Sequence, residues 1–116
     1  MVKIYGIPNC DIVKKTLDWF KQKKIVYQFH NFKTNKISGA KLLEWINIAG
    51  VDAVVNKRST TWRNLSQENQ QKMQDTKQAI EIIMVEPSII KRPVIESEKG
   101  LVIGFDELEY KSKFGS

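Results

Sequence analysis

The stretch YGIPNCDIVKKTLDWF, residues 5–20, decides how the chain reads. It opens inside VKIYGI (residues 2–7), a run of β-formers in which apolar and polar side chains alternate. Pro8 and Asn9 break that run. Beyond them the pattern switches to helical spacing over residues 11–23. Val13, Leu17 and Phe20 fall on one face, Thr16 and Trp19 lie beside them, and lysines occupy the other side. Cys10, the only cysteine, therefore stands where a strand becomes a helix. A helix start presents free N–H groups and partial positive charge, which stabilise a thiolate. The competing reading is a small buried residue at a strand–helix joint. Asp11 repels a thiolate, yet it also suits a helix's first turn.

Outward from this stretch, IVYQFHNF (25–32) reads as a second strand and KTNK as a turn. Ser38 is a suitable N-cap for GAKLLEWINIAG, whose apolar stripe is Leu42, Leu43, Ile46 and Ala49 and whose stop is Gly50. VDAVVNKRSTTWRNL (51–65) is mixed in character. One long helix is then expected from Ser66 to Pro87, polar at first and apolar from Ala79 through Ile80, Ile83 and Met84. A hairpin follows, with strands near 94–97 and 101–104 turning at EKG. DELEYKSKF closes the chain as a short helix. The order β-α-β-α-α-β-β-α predicts an α/β protein: a four-stranded mixed sheet with helices packed on it, its first two strands joined by a right-handed crossover.

The totals bound the function. A chain of 116 residues with 41% hydrophobic and 28% charged residues suits a single domain, 1–116, with one core. No apolar run approaches the roughly 18 residues of a membrane span. The N-terminal MVKIYGIPNC lacks a signal peptide's apolar core, so a cytoplasmic protein is expected, with no membrane partner. One cysteine excludes an internal disulfide, and Val13 occupies the position where a CxxC partner would stand. One His and one Cys do not make a zinc site, and no metal is expected. The net charge of +6 comes from lysines spread along the chain, without a basic block, so direct nucleic-acid binding is not expected.

Candidate anion-binding residues are Asn9 beside the cysteine, Arg92 of KRP (91–93), and Lys57, Arg58 and Arg63 of the mixed segment. An arginine pairs with a carboxylate, phosphate or similar oxyanion through two parallel hydrogen bonds. The plain alternative for each is a solvated surface side chain. Pro93 heads a strand; taken alone, it reads as an ordinary trans proline. His30 reads as structural, and Trp19, Trp45 and Trp62 as packing residues.

Together, YGIPNCDIVKKTLDWF, NKRSTTWR and IIKRPV resemble the arsenate reductase-like (ArsC) family, in particular its YffB branch, a relative of the Spx regulators. The resemblance runs from Val2 to Phe114. It implies a thioredoxin-like fold with a helical insertion at about 35–86, and a cis Pro93 beside the active cysteine. Cys10 matches the nucleophilic cysteine of arsenate reductases that borrow glutathione, and Arg92 matches the arginine before their proline. A second family arginine falls at Asn56, with Lys57 next and Arg58 displaced by a further residue. A third has no counterpart, since Gly104 and Phe105 stand near its place.

The resemblance implies a glutathione-dependent thiol reductase or transferase, an oxidoreductase with glutathione as co-substrate and no metal. Cys10 would attack a thiol/disulfide substrate, and a second glutathione would release it. Glutaredoxin is a candidate partner, and a monomer is the default for this size. Two alternatives stay open: a glutathione/glutaredoxin-dependent arsenate reductase, and an Spx-like regulatory protein that binds RNA polymerase.

Overall fold

The elements run β1 (Val2–Gly6), α1 (Asp11–Gln22), β2 (Tyr27–Asn31), α2 (Gly39–Ala49), α3 (Val51–Val54), α4 (Thr60–Asn64), α5 (Gln67–Lys72), α6 (Thr76–Val85), β3 (Val94–Ser97), β4 (Gly100–Ile103) and α7 (Glu107–Phe114). A single 3-10 turn, Pro87–Ile89, follows α6. This computed structural model describes residues 1–115. The chain forms two units: Met1–Asn35 with the segment from Arg92 onward, and Lys36–Lys91.

The first unit is built on a four-stranded mixed sheet in the order β2-β1-β3-β4. β2 runs parallel to β1, with Val2 opposite Tyr27 and Gly6 opposite Asn31. β3 lies antiparallel on the other side of β1, and β4 pairs antiparallel with β3. Register places Phe29, Ile4, Ile95 and Val102 in one row across all four strands. Because side chains alternate along a strand, that row belongs to one face. It forms the core with Trp19 and Phe20 of α1 and Tyr110 of α7. The helical spacing of α1 buries Val13, Thr16, Trp19 and Phe20 together. Ring centroids of Trp19 and Tyr110 lie 5.4 Å apart, and those of Phe20 and Phe114 lie 5.3 Å apart, typical of tilted aromatic packing.

α1 stops in a way the sequence does not announce. Lys24 adopts φ 58°, and Ile25 N–H bonds back to Phe20 O at 3.0 Å. This is the left-handed reversal that helices commonly end with, here carried by a lysine instead of glycine.

The second unit is helical. Leu42, Trp45 and Ile46 of α2 are buried, as are Ala79 and Ile83 of α6. Gly39 allows close approach: a Cβ there would sit 3.3 Å from Met84 Sδ. Val55 bridges Ile90, and Lys91 N–H reaches Val54 O at 2.8 Å, tying the unit's C-terminal end to the exit of α3.

The long helix expected from Ser66 to Pro87 is two helices. Asp75 interrupts it: its carboxylate accepts Gln78 N–H at 3.0 Å and starts α6 afresh. The mixed segment 51–65 contains α3 and α4, the latter capped by Ser59.

Candidate functional site

Cys10 is the N-cap of α1, in extended conformation (φ −113°, ψ 125°), and is half-buried. Its carbonyl accepts Lys14 N–H at 2.9 Å, so the helix begins there. Its side chain makes no capping hydrogen bond. The contrast with five later helices is informative, although the short α3, with Gly50 at its N-cap, also lacks a side-chain cap. Ser38, Ser59, Ser66, Asp75 and Asp106 each place an oxygen at the same position of a later helix. Each accepts an N–H from the first turn at 3.0–3.1 Å. α1 has sulfur there instead, so no side-chain oxygen of its N-cap occupies its leading N–H groups.

The sheet gathers four segments at this end. β1 runs out through Gly6 into the Cys10 loop, and β2 runs out beside it, with Phe32 N–H on Gly6 O at 3.1 Å. β3 is antiparallel to β1, with Tyr5 opposite Val94, so Arg92 and Pro93 enter next to the exit of β1. β4 leaves at the same end, where Gly104 N–H donates to Pro93 O at 2.8 Å. The Arg92–Pro93 bond is cis; Pro93 is buried and Arg92 half-buried. Gly104 has φ 89°, a conformation that favours glycine. Asn9 is exposed in the loop before Cys10.

One sheet thus places Asn9, Cys10, Arg92 and Pro93 at one end. Lys57, Arg58 and Arg63 belong to the helical unit, and all three are exposed. Lys57 is engaged there, 2.9 Å from Asp52 Oδ1 and 5.4 Å from the centroid of the Trp62 ring. Arg58 follows an Asn turn, its N–H on Asn56 Oδ1 at 3.0 Å, and Arg63 lies in the last turn of α4. His30 is structural: its Nε2 lies 2.7 Å from Asn35 O, and its ring packs 4.9 Å from Tyr5. A carbonyl only accepts, so Nε2 carries the proton. Among the described residues, no group of three metal-ligating side chains gathers, and no helix is long and apolar enough to cross a membrane.

Sequence reasoning missed Thr16 and Tyr110. The Tyr110 hydroxyl donates to Gly104 O at 2.6 Å and lies 3.3 Å from Thr16 Oγ1. Thr16 donates to Ile12 O at 3.0 Å. Burial pushes the Tyr110 phenol up to about 12; the Thr16 contact opposes that shift, while Asp106 and Glu109 add to it. A tyrosine in a short, highly charged helix carries no local sign that its hydroxyl is buried and bonded, and its partner Thr16 is remote in sequence.

Residues 5–113 match the ArsC family. A protein of Haemophilus influenzae, described only as uncharacterized, is 38% identical over 98% of this chain and 99% of its own length. The chain belongs to the ArsC family. The solved structure of a YffB protein is 34% identical to this ArsC-family chain. The match covers 97% of this chain and 98% of that one, with a TM-score of 0.91. The global transcriptional regulator Spx of Streptococcus mutans is 27% identical over 97% of this chain and 82% of its own. The four-stranded sheet and its helices are therefore the ArsC-type thioredoxin-like fold, shared by arsenate reductase-like proteins and by Spx regulators.

Proposed function

We propose that this ArsC-family chain is a glutathione-dependent thiol reductase or transferase with Cys10 as its nucleophile. The observation that carries the reading is the uncapped start of α1: the family's cysteine sits at the one helix N-cap bearing sulfur. The leading N–H groups of a helix are hydrogen-bond donors for an anionic group docked against them.

The Cys10 thiolate attacks a glutathione mixed disulfide at the glutathione sulfur. A Cys10–glutathione disulfide forms, the original disulfide breaks, and the substrate sulfur leaves as a thiolate. A second glutathione thiolate then attacks the same glutathione sulfur. Oxidised glutathione departs and the Cys10 thiolate returns, without a resolving cysteine, which this chain lacks. Arg92, beside the exit of β1, supplies positive charge for a glutathione carboxylate. Backbone groups beside Pro93, whose own carbonyl already accepts Gly104 N–H, pair with the extended peptide part of glutathione. A reducing compartment, the cytoplasm, supplies the second glutathione.

The Spx relatives favour a second reading, a regulatory protein that works by binding. Mass spectrometry after incubation with oxidised glutathione separates the two. The enzyme reading expects an adduct on Cys10 that fresh glutathione releases and that Cys10→Ser never forms. A wild-type cysteine that takes up no glutathione overturns it and leaves the regulator.

A further inference from the structure

The Tyr110 hydroxyl stands where three segments of the Cys10 end meet. One arm runs to Gly104 O at 2.6 Å, and Gly104 N–H continues to Pro93 O at 2.8 Å. The other arm reaches Thr16 Oγ1 at 3.3 Å, and Thr16 hydrogen-bonds Ile12 O in the first turn after Cys10. A proton count ranks the arms. Each hydroxyl has one proton. Thr16 gives its proton to Ile12 O and Tyr110 gives its own to Gly104 O, so the 3.3 Å contact has none left. The bond from Tyr110 to Gly104 is the strong arm. It holds a glycine that a φ of 89° and the bond to Pro93 already constrain.

Resting on the thiol-transfer reading, we propose that Tyr110 is a positioning residue whose hydroxyl sets the Gly104–Pro93 backbone against which a glutathione disulfide is presented to Cys10. It does not touch the reacting sulfurs. It acts through Gly104.

Tyr110→Phe tests this. The variant keeps the ring, and with it the packing against Trp19, Phe20, Phe105 and Phe114. It leaves the buried Gly104 carbonyl without its donor. Adduct formation from oxidised glutathione is expected to slow by about tenfold, the order that loss of orientation produces. Alkylation of Cys10 by iodoacetamide, which needs no docking, is expected to stay within about twofold. Hydrogen exchange at the Gly104 amide should quicken. Thr16→Val keeps the strong arm and should form the adduct at nearly the wild-type rate.

The proposal is overturned if Tyr110→Phe forms the adduct as fast as wild type. It is also overturned if both reactions slow in parallel, or if Thr16→Val loses as much as Tyr110→Phe. A wild-type protein that forms no adduct refutes the thiol-transfer reading instead. Gly104 exchange then decides the role of Tyr110, and an unchanged rate in Tyr110→Phe removes that role too.

Discussion

Gly6 and Val13 are packed so closely that a methyl group on Gly6 would lie 2.8 Å from Val13 Cγ2 and 3.1 Å from Cγ1. The last residue of β1 and the first turn of α1 are in this way pressed together on either side of the Cys10 loop. Gly6→Ala is expected to cost about 1–3 kcal/mol by overpacking a buried β-branched side chain. Val13→Ala in the same chain should recover part of that cost, because the new methyl enters the space the valine vacates. A double-mutant cycle from urea unfolding checks the coupling; additive costs would show that the two residues do not meet.

Cys10→Ser is expected to make the protein more stable while removing its thiol chemistry. Serine gives α1 the oxygen cap that five later helices already have, worth about 0.5–2 kcal/mol. The rise should appear in the denaturation midpoint with an unchanged slope. A cysteine standing where serine would be steadier is the stability–activity trade-off expected of a working nucleophile. A drop in stability would instead show that the thiol is a packing group.

Lys24→Gly is expected to stabilise by about 0.5–1 kcal/mol, since glycine takes φ 58° without the steric cost that a Cβ carries. Lys24→Val should be clearly destabilising, as a β-branched residue fits that conformation worst. Thermal unfolding of the two variants gives the comparison, and equal midpoints would contradict the left-handed ending of α1.

Tyr110 gives the stability an alkaline limb. In the unfolded chain its phenol ionises at the ordinary 10.0, and in the folded chain at about 12. Between these values the unfolded chain has released a proton that the folded chain retains, so rising pH favours unfolding. The contribution is complete below pH 10 and is lost as pH climbs towards 12. Urea midpoints of wild type and Tyr110→Phe, followed from about pH 9 upward, should converge or cross, because only the wild type carries that phenol. Parallel curves would contradict the buried phenol.

Much of this architecture is legible in the sequence because local pattern carries it. Alternation in VKIYGI, helical spacing from Val13 to Phe20, and the turn at EKG each state their element directly. Residues 66–78 state nothing of the kind. QENQQKMQDTKQ has no apolar period, so the break at Asp75 rests on capping chemistry alone: Asp75 followed three positions later by Gln78. Cys10 and Arg92 stand out by residue type and by family resemblance. Tyr110 does not, because its role exists only once β4, α7 and α1 have come together, and no local pattern encodes a bond to Gly104 O.

The strand order carries a consequence for the order of events during synthesis. β1 is made first, yet its neighbour on one side is β3, with Lys3 opposite Glu96. A nascent chain that has reached Lys91 holds the complete helical unit and the thiol. It holds neither Pro93 nor Gly104 nor Tyr110. Pairings this distant form slowly and late. Cys10 therefore spends that interval without the Pro93, Gly104 and Tyr110 segments, and meets them only when the final hairpin and helix arrive.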